Sequence, residues 1–288
     1  MSPGVLLTLL VVVWAASWPV MKIGVATVPP IWFACLRYGV ATVVLIAIVR
    51  LRGEFRWPPR ADRHLVLVSG LLQMGAFAAL TMLTLTILPP GRASILAYST
   101  PLWVHPLAVW RKQEQTSLRA ALGVVIGLVG IAVIASPTLV HDGSAALGAI
   151  AMLIIAAAAW AVTIVFVRGH RFTANPLALA PWQTAVATLL LLAIAAVTEA
   201  PPASFTGPAL LALLYAALIA TAFAYWAVVE VGRRLPATTL SVGLLATPAL
   251  GLTISAIVLK EPVGSTLLFG LALVGAGIML TAATRTRS

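Results

Sequence analysis

ASILAYSTPLWVHPLAVWRKQE (Ala93–Glu114) and LSVGLLATPALGLTISAIVLKE (Leu240–Glu261) fall on one another at an offset of 147 residues. In that register Ser94 meets Ser241, Thr100 meets Thr247, Pro101 meets Pro248 and Glu114 meets Glu261. Aliphatic matches between Leu/Ala-rich segments carry little weight. Serine, proline and an acid in one common register carry more. The match extends outward: Leu88-Pro89 meets Leu235-Pro236, Gly123 meets Gly270, and Gly130-Ile131 meets Gly277-Ile278. Upstream the offset is 146, so that Trp14-Ala15 meets Trp160-Ala161, Lys22 meets Arg168 and Pro30 meets Pro176. One unit is written twice, over residues 1–137 and 146–288.

Composition decides the surroundings. Of 288 residues, 61% are hydrophobic and only 9% charged, whereas a soluble domain carries about a quarter charged residues. Apolar runs of about twenty residues recur, each long enough to cross about 30 Å of hydrocarbon as a helix. The chain reads as an integral membrane protein. The opening segment has no Lys or Arg before its apolar run, so it reads as a first span and not as a cleaved signal. A lone Cys35 excludes an internal disulfide framework and a thiolate metal cage. No metal or cofactor is expected.

Turns, prolines and charges place helices near 4–25, 31–51, 64–87, 91–111, 118–136, 146–168, 177–198, 207–229, 236–259 and 264–284. The connections are too short for a soluble domain. One set of alternate loops holds Arg50, Arg52, Arg56, Arg60, Arg63, Arg111, Lys112, Arg119, Arg168, Arg171, Arg233, Arg234, Arg285 and Arg287; the other holds Lys22, Arg92 and Lys260. By the positive-inside rule the first set is cytoplasmic, with both termini inside. The net charge of +11 is thus an orientation signal. The basic loop RWPPRADRH (Arg56–His64) is too small for a nucleic-acid face.

Five helices per unit is an odd number, so the second copy enters the bilayer from the opposite side. The expected fold is all-α integral membrane, with ten transmembrane helices as two inverted five-helix repeats. Repeats related by an axis in the membrane plane suit alternating access to a midplane site.

The segment WAASWPVMKIG (Trp14–Gly24), Arg37 early in the second helix, the S-x6-P pattern of the fourth and ninth helices, the acid that follows each, and the spaced glycines of the tenth resemble the EamA family of the drug/metabolite transporter superfamily. The resemblance covers both halves and is greatest to the amino-acid exporter branch. It implies a multi-pass protein of a bacterial inner membrane that exports amino acids or related small metabolites. It also implies that helices one, three, four, six, eight and nine line the cavity while five and ten brace the halves.

Polar and aromatic side chains fall at helical spacing and nominate a substrate site: Trp14 and Trp18, Phe77 and Thr81, Tyr98, Pro101, Trp103 and His105, Trp160 and Thr163, Tyr225, and Ser241 with Pro248. Trp14 and Trp103 sit near mid-span, where an interfacial belt does not account for them. Packing in the core is the alternative. Pro101 frees the carbonyl of Ala97 and Pro248 that of Leu244, and each then needs a neighbouring helix, water or cargo as partner. His105 is either a proton carrier or a neutral histidine bonded to another helix. Arg37 is shallow enough to snorkel and is expected to anchor its helix end or to pair with Glu261 or Glu199. All seven acids lie in or beside loops, so no carboxylate is available at depth for proton coupling.

The leading reading is an exporter of neutral or aromatic amino acids or related metabolites, facilitative where no proton carrier exists. Its partners are the small-molecule substrate and membrane lipid, with no nucleic acid. The same-class alternative is an exporter of hydrophobic drugs or cations. An intramembrane enzyme would need a buried acid pair, a Ser/His dyad or an H-E-x-x-H site, and the residues offer none; no catalytic residue is nominated.

Overall fold

In a computed structural model the described residues are 1–282 other than 114, 116, 142, 169 and 236; the side chains of 137–141, 237, 238, 241 and 242 also fall outside the description. Glu114, Asp142, Pro236, Arg285, Arg287 and the Ser241 side chain therefore lie outside the described residues.

The described residues form helices and no strands. In chain order they are α1 (Pro3–Gly24), α2 (Pro30–Leu51), α3 (Arg63–Ile87), α4 (Pro90–Ala97), α5 (Thr100–Trp110), α6 (Leu118–His141), α7 (Gly143–Val167), α8 (Pro176–Thr198), α9 (Gly207–Arg234), α10 (Ala237–Leu244), α11 (Ala246–Leu259) and α12 (Ser265–Ala282). Eight of them, α1 to α3, α6 to α9 and α12, are long and apolar enough to cross a membrane. Large apolar side chains face outward, with Val43 at 68%, Leu189 at 66% and Ile257 at 74% exposure. A surface of that kind belongs in lipid. This is a multi-pass membrane protein.

Proline sets several helix starts. Pro3, Pro30, Pro90 and Pro176 each stand at the first helical position, where the missing N–H costs nothing and φ is already helical. Side-chain caps add to this: Ser2 accepts from Val5 N–H, Asn175 from Leu177 N–H and Thr206 from Ala209 N–H.

The fourth and ninth rods expected at 91–111 and 236–259 are corrected: each is a pair of short helices, broken between α4 and α5 and between α10 and α11. Around the first break, hydroxyls bond back to backbone carbonyls, Ser94 to Gly91 at 2.7 Å, Ser99 to Leu96 at 2.6 Å and Thr100 to Ala97 at 3.0 Å. Such back-bonding competes with the helical ladder, and Pro101 then serves as a start for α5. The Ala97 carbonyl, freed by Pro101, accepts from the Thr100 hydroxyl.

The two halves interlock. Helix α1 packs on α9 and α11, and its sequence equivalent α7 packs on α3 and α5. Helix α2 meets α9 while its equivalent α8 meets α3. Equivalent helices also pair with one another, α2 with α8 and α6 with α12. Both of these pairs run antiparallel. At one end of α2, Glu199, which caps the C-terminus of α8, accepts from Ile31 N–H at 3.0 Å and Trp32 N–H at 3.1 Å. At the other end Glu54 accepts from the Asn175 amide at 2.9 Å, at the start of α8. In the second pair Gly123 lies against Gly277, and Gly130 against Gly270. Small residues let helix backbones meet where lipid supplies no hydrophobic drive.

Two stretches depart from α geometry. Ser69–Ala76 within α3 and Tyr215–Phe223 within α9 are π-helical, and the 146-residue offset carries Ser69 onto Tyr215. Such widened turns recur at functional sites.

Candidate functional site

A cavity of about 440 Å³ lies among α1, α2, α3, α5, α7, α9, the broken α10–α11 pair and the end of α12. Its size falls within the usual range of small-molecule pockets, about 300–1,000 Å³. Both halves contribute to its wall.

Nine of the residues nominated from sequence line it. From α1 come Trp14 and Trp18, from α3 Phe77 and Thr81, and from the α4–α5 break Tyr98 and Pro101. The second half gives Trp160, Tyr225 and Pro248. Trp14 and its sequence equivalent Trp160 both line it, as do Pro101 and its equivalent Pro248.

The rings form a continuous wall. Trp18 and Tyr98 have centroids 6.3 Å apart, Tyr98 and Trp160 6.2 Å, and Phe77 meets Trp160 edge-on at 4.9 Å. These tilted geometries are the favoured ones for aromatic pairs. The indole of Trp14 donates to the Ala220 carbonyl at 3.2 Å, a carbonyl within the second π stretch. The Tyr225 hydroxyl donates to Gln183 Oε1.

Four nominated residues are placed otherwise. Trp103 donates to Ser99 Oγ at 3.3 Å on its own helix side and packs with Val104, Ala161 and Val165. His105 is buried at 5% exposure but does not line the cavity. Thr163 is buried on α7 and bonds back to Ala159 at 3.3 Å. The side chain of Ser241 lies outside the described residues.

Several lining residues escaped the sequence reading, among them Ser17, Met21, Arg37 and Tyr38. Ser17 and Met21 follow Trp14 at steps of three and four, so the helical face that nominated Trp14 carries them too. Arg37 needs a correction. It pairs with neither Glu199 nor Glu261, because those carboxylates are taken by helix starts: Glu199 by α2, and Glu261 by Gly91 N–H at 2.8 Å and Arg92 N–H at 3.2 Å of α4. Arg37 instead turns sideways into the protein. Its Nε donates to Thr221 Oγ1 at 2.8 Å and its Nη1 approaches Met21 Sδ at 3.0 Å. It has no salt bridge among the described residues, and no Asp or Glu lines the cavity.

The ends of the bundle are tied by acids. Beyond Glu199 and Glu261, Asp62 is fully buried and accepts from His170 Nε2 at 2.8 Å, Ala174 N–H at 2.9 Å and Thr173 N–H at 3.1 Å. Burial alone would raise the Asp62 carboxyl, but the His170 and backbone hydrogen bonds outweigh it and hold the group below its ordinary value. No group of three or more His, Cys, Asp or Glu among the described residues is arranged to hold a metal ion.

Residues 2–136 and 147–283 each match the EamA-like transporter family. The chain belongs to that family. As an EamA-like protein it is a transporter, and several relatives match it over nearly the whole chain. The uncharacterized transporter YoaV of Bacillus subtilis is 26% identical, covering 96% of this chain and 94% of its own. The probable amino-acid metabolite efflux pumps of Escherichia coli and Salmonella typhimurium are 27% and 25% identical, each over 96% of this chain. A solved crystal structure superposes over 100% of both chains with a TM-score of 0.65 at 20% identity, which establishes the shared fold.

Proposed function

We propose that this EamA-like protein is an alternating-access exporter of amino acids or related small metabolites. The observation that carries this reading is a cavity walled by equivalent residues from both halves, in a bundle whose equivalent helices α2 and α8, and α6 and α12, run antiparallel. On this reading the units at 1–137 and 146–288 are inverted five-span repeats. Eight spans are continuous, and each broken pair, α4–α5 and α10–α11, makes one more. Rocking one half against the other then opens the same hollow to each face in turn.

Charge placement supports cytoplasmic termini, and a bacterial inner membrane is the setting. The cavity reaches Thr281 and Ala282 at the end of α12 and Ile164 near the end of α7, both at the cytoplasmic side in this topology. At the opposite rim Glu261 closes on the start of α4 while Lys22 Nζ donates to the Leu85 and Leu88 carbonyls. On this reading the hollow extends toward the cytoplasmic side, and these contacts hold the outer rim together. The absence of a lining carboxylate favours facilitated flow over a carboxylate-borne proton cycle. That two relatives bear the name of amino-acid metabolite efflux pumps supports the cargo class.

The aromatic wall favours a second reading, an exporter of hydrophobic drugs or lipophilic cations, since ring faces attract cations. Counterflow into proteoliposomes with a panel of labelled compounds separates the two. Acceleration by neutral amino acids sustains the first; a response confined to lipophilic cations replaces it with the second.

A further inference from the structure

We propose that Arg37 is the carboxylate anchor of this cavity, so that the site requires a carboxylate on its cargo and treats an amino group as optional. The inference rests on the carrier reading above and narrows its substrate class to organic acids with an apolar or aromatic body, amino acids included.

Among the described residues Arg37 is the single fully charged side chain lining the cavity. Its guanidinium is held in place from one side. Thr221 spends its hydroxyl proton on the Ala216 carbonyl at 2.8 Å, five residues back in the π stretch, and its lone pair receives Arg37 Nε. The ring of Tyr38 lies 5.3 Å from Arg37 Cζ. What remains is the terminal fork. Nη1 meets only the sulfur of Met21, a weak acceptor, and Nη2 makes no hydrogen bond among the described residues. A planar fork with weakly engaged ends matches the two oxygens of a carboxylate.

The complementary charge is missing. No described residue that lines the cavity is anionic and so demands an ammonium; the rest of the wall offers rings, aliphatic side chains, hydroxyls and the Gln73 amide. One hydroxyl stands out: Thr81, at 1% exposure, lines the cavity with Oγ1 lacking any hydrogen-bond partner. A buried polar atom of that kind wants a ligand group or water. Thr81 can meet an amino group or another polar substituent, but a neutral hydroxyl does not select for charge. The body of the cargo would rest on Trp18, Tyr98 and Trp160.

Binding to the purified protein tests this without relying on transport. The indoles of Trp14, Trp18 and Trp160 report occupancy by fluorescence, read with phenylalanine, 3-phenylpropionate, phenylalaninamide and phenethylamine. The two carboxylates should bind, and the amide and amine should bind roughly a hundredfold more weakly, the loss typical of an unpaired buried charge. Arg37→Gln should erase that discrimination while leaving the weak binding of the amide, which also shows the variant folded. Thr221→Val, which keeps the guanidinium but not its support, should lose part of the preference. Equal binding of acid and amine, persistence of the preference in Arg37→Gln, or no response to any of the four overturns the proposal. The exporter reading fails separately: carboxylates that bind but never move in proteoliposomes leave the anchor standing, whereas amine transport untouched by Arg37→Gln removes the anchor and leaves the exporter.

Discussion

Gly123 and Gly277 meet so closely across the crossing of α6 and α12 that a Cβ added to Gly277 would stand 2.5 Å from the Gly123 carbonyl oxygen. The contact has a twin. By the repeat Gly123 corresponds to Gly270 and Gly277 to Gly130, and a Cβ on Gly130 would stand 2.9 Å from the Gly270 carbonyl oxygen. The obstacle in both places is backbone, which cannot step aside as a flexible side chain would.

Gly277→Val should therefore destabilise the bundle by about 1–3 kcal/mol, the usual cost of overpacking. Gly275→Val, where an added Cβ meets nothing within 4 Å, should be nearly neutral. Thermal melting of the two variants in detergent, followed by size-exclusion fluorescence, compares them directly.

Glu199 holds two backbone N–H groups at the start of α2. Glu199→Ala should leave both without their charged partner and cost about 1–2 kcal/mol, as lost N-terminal caps do. Glu199→Gln, which keeps an acceptor oxygen and loses only the charge, should cost less. Melting temperatures of the pair order the two contributions.

Asp62 ties the turn before α8 to the start of α3. Its carboxyl is held below the ordinary value, so its stabilising contribution is present above the normal carboxylate range and is lost as pH falls through the lowered value. Melting followed from pH 7 downward should show a loss in the wild type at acid pH that Asp62→Asn lacks, the variant being weaker already at neutrality.

Trp14→Phe keeps a ring in the cavity wall but removes the indole donor to the Ala220 carbonyl. The expected cost is about 1 kcal/mol, a typical net hydrogen bond, together with slower counterflow. Trp160→Phe, with no such bond among the described residues, should keep its stability.

Ser204→Cys lies just before α9 and Arg234→Cys at its last residue, so the two mark opposite ends of that helix. In intact cells an impermeant maleimide should label the first and not the second. Native Cys35 is buried, so it should contribute little background.

Much of the fold was readable because proline, tryptophan, serine and glycine stand out against an aliphatic background, and the same property nominated most of the cavity wall. The breaks at Pro101 and Pro248 were half legible: the prolines are visible, but the choice between a kink and a break depends on hydroxyls such as Thr100 closing back on Ala97. The π stretches leave no mark in composition, since they differ from the α ladder only in which carbonyl each N–H selects. Arg37 was visible and its destination was not. Whether it reached for the rim or for Thr221 depended on α9, distant in sequence, and on Glu199 and Glu261 already being occupied by helix starts.

The reciprocal loan of acids between α2 and α8 has a consequence for biogenesis. Glu199 must be translated before the start of α2 has this acceptor, and Asn175 before it can donate to Glu54. The N-terminal unit therefore leaves the ribosome unfinished, and expressed alone it should be short-lived; supplying the C-terminal unit from a separate gene should rescue it.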